Sequence, residues 1–282
     1  SVEDPMGAMS DLYDTIAGPL DPMSVVTAQM GDVDATLAGT FMITAFTQLT
    51  GDTDNSNDTV HGLFYTIETI TTFPFLEDFS SGATDYFQLT DAEESIIQIN
   101  NTGVNGTMGL NFQGGENTAW QGQGSNTTAN NAWNDNILHQ AQAMTCNVDA
   151  TGLTNLRLSF DLKQWYGYVP EYAWFRVLVN NSIQLQDLNG IANYNPFTYE
   201  DDPFVRRVFD LSLWAGTNFT ITLQACNKYS DSVYIQSGFG PHGDNAFVDN
   251  IMLFVPDDVD MGSAIGSAFD DDFWLVNEHL FN

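Results

Sequence analysis

The residue types that most often carry catalysis are present in this sequence, but they do not occur at catalytic spacings. The four histidines lie in unrelated contexts, and none belongs to a His-x-x-x-His pair or to a histidine–carboxylate motif of zinc spacing. The sequence has no Gly-x-Ser-x-Gly elbow, no phosphate-binding P-loop and no Cys-x-x-Cys pair. Acidic clusters at 93–94, 200–202 and 270–272 offer the carboxylates of a glycoside hydrolase, but their positions favour solvated surface. We therefore expect a protein that is not an enzyme.

Aromatic side chains among amides suggest a second kind of chemistry, the binding of carbohydrate. Sugar sites combine exposed aromatic rings with a few polar groups that fix the orientation of the ligand. The densest aromatic group contains Trp165, Tyr166 and Tyr168, and Trp120 and Trp133 lie in a region rich in Asn and Gln. These five residues are candidate glycan contacts. Packing inside the fold is the alternative, because large aromatic side chains also fill the ends of β-sandwiches.

The two cysteines, Cys146 and Cys226, lie in predicted strands of one domain. In an oxidising compartment they can form a disulfide. Two buried free thiols are the alternative, and the sequence does not fix the geometry that would decide between them.

An Asp-Asn pair interrupts an apolar strand pattern near residue 250. The flanking apolar residues fall on two opposite parities, Ala246 and Val248 before the pair and Ile251 and Leu253 after it. Both sets reach one core only if the strand slips by one residue at Asp249-Asn250, as it does at a β-bulge. The sequence therefore predicts a bulge, and the bulge can also turn the Asp249 carboxylate toward a neighbouring group.

Alternating apolar and polar residues predict a mostly β protein. The clearest strands are 156–162, 175–179 and 219–225, with a further candidate at 205–213. The Asn180-Asn181 pair predicts a turn that leads into a short strand at 183–186. Half-buried strands joined by Gly-, Asn- and Asp-rich loops indicate an antiparallel jelly-roll β-sandwich over residues 73–256.

Residues 1–72 form a predicted N-terminal extension with a different texture. Apolar residues at helical spacing predict a short amphipathic helix near 7–18, which ends at Gly18-Pro19. Two β-like runs follow at 40–46 and 63–70, separated by a polar turn-forming segment. We expect a hairpin that packs on the sandwich or is swapped between subunits.

The order of motifs from Phe73 to Phe254 resembles a jelly-roll domain of the MAM or cleaved-adhesin type, within the galactose-binding-like group. The block opens with FPFLEDF at 73–79, continues with LTNLRLSFDL at 153–162 and WFRVLV at 174–179, and closes with FVDNIML at 247–253. Such modules recur in secreted bacterial surface proteins. MAM domains usually carry four cysteines, whereas this chain has two.

The resemblance implies that the first and last strands of this domain pair, and that their corner holds a structural Ca²⁺ or Na⁺. Matched to this sequence, the candidate metal ligands are Glu77, Asp78 and Asp249, with Asp244 from the preceding loop. Calcium is the expected ion.

The charge of the chain excludes some partners. The 37 acidic and 6 basic residues give a formal net charge of -31, and the first 156 residues contain no Lys or Arg. Such a protein repels nucleic acid and anionic lipid. Divalent cations or salty water can offset the self-repulsion, so we expect an extracellular or cell-surface location. No stretch reaches the 18 apolar residues of a membrane span.

The segment after Pro256 is acidic and then aromatic. Its apolar residues need a surface to cover them, on this subunit or on a neighbour, and those of most interest as an assembly arm are Phe273, Trp274, Leu275 and Phe281. We therefore expect a non-catalytic structural or adhesive protein that self-associates in a surface assembly or filament. A carbohydrate-binding module is the alternative, and a glycoside hydrolase is the third possibility.

Overall fold

The structure is a computed structural model. It describes residues 1–18, 21, 24–48, 53–54, 56, 58–92, 95–115, 141–167, 170–196, 203–238 and 242–256. Three sheets make up this part of the chain, one small sheet and two sheets of six strands, and their strands pair antiparallel except for one short parallel pair, Thr69–Ile70 with Asn147–Val148. No helix in the described part of the chain is long and apolar enough to cross a membrane.

The small sheet comes from the N-terminal residues. Its strands are β1 (Val2–Glu3), β2 (Met9–Ser10), β3 (Gly39–Phe46) and β4 (Thr59–Thr66), in the order β2-β1-β3-β4. Strands β3 and β4 pair along their full length and form a hairpin, as predicted. The predicted second run, 63–70, is wrong in its bounds, because β4 ends at Thr66 and Thr69–Ile70 pairs with a strand of a large sheet instead.

The predicted helix near 7–18 is wrong, because residues 9–10 form β2 and the residues after it are not helical. The Asp4 carboxylate accepts hydrogen bonds from the backbone N–H groups of Met6 and Ala8, at 2.9 and 2.8 Å. These bonds, with Gly7 at φ +83°, close a tight turn that pairs β1 with β2. A side chain that bonds to nearby backbone in this way competes with helix formation.

The first large sheet has the strand order β13-β12-β15-β10-β5, and β7 also pairs with β10. Its strands are β5 (Thr69–Ile70), β7 (Phe87–Thr90), β10 (Gln142–Asp149), β12 (Ala173–Val179), β13 (Ile183–Gln184) and β15 (Asn218–Asn227). Asn180 and Asn181 have φ of 50° and 54° in the turn between β12 and β13, as the turn prediction requires.

The second large sheet has the order β14-β11-β16-β9-β8, and β6 also pairs with β16. Its strands are β6 (Phe75–Glu77), β8 (Ile96–Asn100), β9 (Gly109–Gln113), β11 (Arg157–Trp165), β14 (Val205–Asp210) and β16 (Asn245–Phe254). Between strands of the described part of the chain lie an α-helix, α1 (Asp231–Ser237), and short 3-10 turns at Val104–Gly106, Pro170–Tyr172 and Ser212–Trp214.

The core lies between the two large sheets, which form a jelly-roll β-sandwich. Every second residue of the long strands faces it, for example Leu158, Phe160 and Leu162 of β11. Strand β6, which opens the block from Phe73, and β16, the last strand described, are neighbours, with Phe75 opposite Leu253; β5 precedes both and adds Ile70 to the same core. Burial of this two-sided apolar layer is the main force that holds the fold together.

The predicted β-bulge is confirmed in β16. Ser159 of β11 lies opposite Met252, and Asp161 lies opposite Asp249, so two residues of β16 face one residue of β11. The apolar residues on both sides of the bulge reach the same core, namely Ala246, Val248, Ile251 and Leu253. Asn250 has φ 51°, a conformation that Asn tolerates better than most residues.

The disulfide between Cys146 and Cys226, one of the two alternatives left open by the sequence, is not formed: both thiols are free and buried. Cys146 lies opposite Ile221 of β15 and faces the core. Cys226 has the opposite parity to Ile221 on the same strand, and it therefore faces the other side of the sheet. Burial raises the pKa of each thiol to about 12, which keeps both protonated.

Candidate functional site

The β3–β4 hairpin, called here the neutral hairpin, is an uncharged surface on an acidic protein. Residues 35–51 and 59–67 contain no Asp, Glu, Lys or Arg. Every residue of β4 from Thr59 to Leu63 is exposed, and so are Thr40, Met42 and Phe46 of β3. The strands form because Val, Ile, Thr, Phe and Tyr dominate them, and Phe41 stacks on Phe64 across the pair, with ring centroids 4.6 Å apart.

One face of the small sheet carries a row of side chains that are exposed and apolar except for Glu3. Met9, Glu3, Met42 and Leu63 lie opposite one another across β2, β1, β3 and β4. Met9 is 58% exposed, Met42 48% and Leu63 57%. A shallow groove of about 550 Å³ runs along this row. Exposed apolar patches of this kind mark surfaces that bind a partner.

The outer edge of β4 adds main-chain groups to this surface. Within the described residues, β4 pairs with β3 alone and ends the small sheet. A long, apolar edge strand without charge, proline or bulge is a ready template for another strand. The neutral hairpin therefore offers both an apolar face and unpaired backbone.

The rest of the described surface has no exposed cation. All six Lys and Arg residues lie in the described part of the chain, and each is buried or half-buried. Arg206, for example, lies 3.3 Å from the Asp161 carboxylate, and Lys228 is 5% exposed with its ammonium group 4.0 Å from the ring centre of Tyr172. The negative charge on the surface is therefore not offset by neighbouring basic side chains.

A second candidate surface lies on the outer face of the second large sheet, around Trp165. The Trp165 ring stacks on His242 at 4.5 Å and meets Phe247 edge-on at 4.5 Å. The Lys163 ammonium group lies 4.8 Å from the centre of the same ring. These contacts already occupy much of the indole surface, so the ring does not present an open platform. Tyr166, the next residue, is half-buried.

Three buried polar atoms on this outer face have no hydrogen-bond partner in the described part of the chain. They are Trp165 Nε1, Asn111 Oδ1 and Asn245 Oδ1. Asn245 lies directly opposite Trp165, while Asn111 and Lys163 both lie opposite Phe247, on either side of it. One donor and two acceptors on a single surface match the hydrogen-bonding pattern of a hydroxylated ligand or of ordered water.

Asp249, a predicted metal ligand, is bound by the protein itself. Its Oδ2 accepts hydrogen bonds from the Val104 N–H at 2.8 Å and from the Thr107 hydroxyl at 3.2 Å. Its Oδ1 accepts the Asn250 N–H at 2.7 Å. The turn that supplies these donors approaches closely at Gly103, where an added Cβ would lie 2.6 Å from Oδ2. Burial raises the pKa of the Asp249 carboxyl above its ordinary value, and this effect outweighs that of the hydrogen bonds, which act in the opposite direction.

Glu77 and Asp249 lie on opposite faces of the second large sheet. Glu77 is opposite Ile251, which faces the core, whereas Asp249 has the outward parity of Phe247. The Glu77 carboxylate accepts the Phe79 N–H and the Thr84 hydroxyl, both at 2.9 Å. Burial raises its pKa. The two strands are thus neighbours, as the resemblance implies, but their carboxylates have separate partners.

Asp78 and Asp244, the other predicted ligands, lie apart from each other. Asp78 is bonded to the Ser80 N–H at 3.0 Å. Asp244 is fully buried, and its two oxygens accept the N–H groups of Gly167 at 2.8 Å and Tyr229 at 2.9 Å. Burial raises the pKa of Asp244 to about 7. Within the described residues no three His, Cys, Asp or Glu side chains are grouped to hold a metal ion.

Several predicted site residues lie outside the described residues, and the structure places none of them: Trp120, Trp133, Tyr168, Phe273, Trp274, Leu275 and Phe281. Conversely, sequence reasoning did not single out Met42, Leu63 or the edge of β4 as a surface. The absence of charge could not have found this surface, because residues 95–115 and 117–134 form equally long uncharged runs elsewhere in the sequence.

No protein-family model matches the sequence, and no curated protein matches it. Among solved structures, the K1 cleaved adhesin domain of Lys-gingipain from Porphyromonas gingivalis W83 matches 66% of this chain and all of that chain, with 11% identity and a TM-score of 0.38. The C-terminal family 22 carbohydrate-binding module of Clostridium thermocellum Xyn10B matches 68% of this chain and 95% of that chain, with 11% identity and a TM-score of 0.33. The active domain of tailspike protein 4 of bacteriophage CBA120 matches 64% of this chain but only 20% of that chain, with 8% identity and a TM-score of 0.36. Similarity this low carries no functional argument.

Proposed function

We propose that this chain is an extracellular, non-catalytic structural or adhesive protein that assembles with copies of itself through the neutral hairpin. The observation that carries the proposal is the exposed apolar pair Met42–Leu63 on a hairpin without charge, with Met9 exposed on the same face beyond Glu3. Leaving such a row in water costs free energy that a partner surface recovers, at about 25 cal/mol for each Å² of apolar area buried.

The charge distribution supports a second copy as the partner. Two copies that each carry a net charge of -31 repel wherever their acidic surfaces meet. This repulsion is weak at the neutral hairpin, because its strands contain no charged residue. A strongly basic partner would instead be attracted to the acidic surface elsewhere.

Calcium remains part of the proposal. Bound divalent cations would lower the repulsion between subunits, and the Glu77–Asp78 corner is the predicted place for one of them. Asp244 and Asp249 support the fold through their own hydrogen bonds and would contribute only if those bonds were given up. The net charge of -31, which divalent cations or salty water would screen, supports the extracellular location.

Sedimentation velocity over a range of protein concentrations tests the proposal. We expect wild-type protein to form dimers or larger species, and the double variant Leu63→Ser/Met42→Ser to sediment as a monomer. Leu213→Ser is the matched control, because Leu213 is 82% exposed on the sandwich and away from the hairpin. A wild-type protein that stays monomeric at high concentration, in salt and with calcium, would overturn the proposal.

A carbohydrate-binding module is the second candidate, and the three unpartnered atoms around Trp165 favour it. Hydroxyl groups of a sugar both donate and accept, and they would satisfy Trp165 Nε1 together with the two Asn oxygens once the side chains that cover these buried atoms move aside. We expect glycan binding by the wild-type protein to be lost in Asn111→Ala and kept in Asn189→Ala, a change at an exposed turn residue. Absence of binding on a broad glycan array would exclude this candidate.

A further inference from the structure

The outer edge of β4 is suited to accept one more strand. The strand is eight residues long, contains no charged residue, and has Val60 65%, Leu63 57% and Tyr65 61% exposed. Among the described residues nothing pairs with this edge. We call it the acceptor edge. A strand added here would gain main-chain hydrogen bonds and would also extend the apolar face of the small sheet.

One segment of this chain has the composition of such a strand. Residues 273–281, FWLVNEHLF, contain six apolar residues out of nine, and the run FWLV is uncharged. Phe, Trp and Val favour strands, and a short continuous apolar run fits a strand that is covered on both faces. We call residues 273–281 the donor segment; it lies outside the part of the chain that the structure describes.

The length of chain before the donor segment allows it to reach another molecule. The strand β16 ends at Phe254, beside Arg157 of β11. Residues 255–272 then separate β16 from the donor segment, and eighteen residues span at most about 60 Å when extended. The acidic residues Asp270–Asp272 lie within this spacer, so the donor segment itself can meet the uncharged acceptor edge without repulsion.

We infer that the donor segment of one copy adds as a strand to the acceptor edge of a second copy. This inference rests on the proposed self-association and names its contact. Each copy then has one donor and one acceptor, which are different surfaces. Such head-to-tail contacts continue from copy to copy, and they form rings or open filaments rather than closed pairs.

Two full-length variants test the inference by complementation. The donor variant Trp274→Ser/Val276→Ser removes apolar contacts from the donor segment, and the acceptor variant Leu63→Ser/Tyr65→Ser removes them from the edge, both without a change of charge. We expect each variant alone to associate about tenfold or more weakly than wild type. An equimolar mixture should form a one-to-one pair that does not grow further, because each pair has only one intact donor and one intact acceptor. Leu213→Ser should behave as wild type.

The outcomes separate the inference from the function on which it rests. In one outcome the donor variant associates as strongly as wild type, while the acceptor variant no longer associates. This result would mean that two β4 edges pair with each other. The inference then fails, and the proposed self-association stands. Failure of the mixture to form a pair would place the donor segment on its own subunit or elsewhere and also overturns the inference. A wild-type protein that stays monomeric would overturn both the inference and the proposed self-association. A synthetic peptide of residues 270–282 should bind the donor variant, and a scrambled peptide should not.

Discussion

Asp249 and Asn250 hold the bulge of β16 from two sides, and this arrangement explains why a polar pair interrupts an apolar strand. Asp249 binds the 103–107 turn, while the Asn250 side chain donates to Asp161 Oδ2 at 2.9 Å. Arg206 donates to the Asn250 carbonyl at 2.8 Å. The pair is polar because a bulge leaves backbone and loop groups that need partners.

Substitution of Asp249 tests this structural role. Asp249→Ala leaves the Val104 N–H without its acceptor and removes one of the two acceptors of the Thr107 hydroxyl, so we expect the free energy of unfolding to fall by about 2 kcal/mol. Chemical denaturation measures the change. The control Asp85→Ala alters an exposed carboxylate and should change the stability little. Equal effects of the two substitutions would show that Asp249 does not support the turn.

Asp244 makes the stability depend on pH. Because its pKa is raised from 3.8 to about 7 in the folded state, the folded protein keeps a proton between these values that the unfolded chain releases. The free energy of unfolding therefore falls as pH rises through this window, by up to about 4 kcal/mol from this group. We expect Asp244→Asn to reduce the slope of the free energy of unfolding against pH between about pH 4 and pH 7. The reduction should correspond to close to one proton fewer released on unfolding. An unchanged slope in denaturation at several pH values would contradict the assignment.

At the level of the elements, the strand pattern was predictable and its local partners were not. Parity alone located the bulge, because Val248 and Ile251 had to reach one core. The helix near 7–18 failed because Met9 and Ser10 pair with β1 across the turn that the Asp4 side chain closes. The partner of Asp249 lies 145 residues away in sequence, and a contact at that distance leaves no trace in local spacing.

The left-handed conformation of Asn250 gives a test of the bulge as an element. Asn250→Val places a β-branched residue at φ 51° and should cost about 2 kcal/mol of stability. Asn250→Gly loses the bond to Asp161 but suits the backbone, so we expect it to cost about 1 kcal/mol less than valine. Thermal unfolding of the two variants should rank them in this order, and the reverse order would argue against the bulge.

The strands also decide the chemistry of the cysteines. Cys146 and Cys226 face opposite sides of one sheet, so we expect two thiols that resist modification in the folded protein. Reaction with a thiol reagent should yield none at neutral pH without denaturant and two after unfolding. If no thiol reacts after unfolding in the absence of a reductant, the protein contains a disulfide. That result would contradict the strand assignment.

At the scale of the whole molecule, the neutral hairpin is an uncharged, apolar surface on a protein with a large net negative charge. No Lys or Arg is exposed to offset the acidic residues, so repulsion between copies acts at long range in dilute salt. Association through the neutral hairpin must overcome this repulsion. Sequence composition shows the imbalance at once, but the exposure of the hairpin needed the structure, because buried apolar strands have the same composition.

The ionic conditions should therefore control assembly. Raising the salt from about 0.01 M to about 0.15 M shortens the screening length from about 30 Å to about 8 Å, and we expect stronger association. Calcium at matched ionic strength should strengthen association and thermal stability further than sodium. Light scattering and thermal unfolding measure the two effects. Equal effects of calcium and sodium would show that charge screening is sufficient to explain the result, and they would contradict the predicted calcium site.

Hydrogen exchange of the β4 amides tests the self-association through the neutral hairpin most directly. The amides of residues 59–66 that point away from β3 have no partner in the described residues, so they should exchange fast in dilute protein. As the protein concentration rises, we expect their exchange to slow, while the amides of β11 in the sandwich stay as protected as before. Exchange of the β4 amides that does not change between monomer and assembly would contradict the central claim.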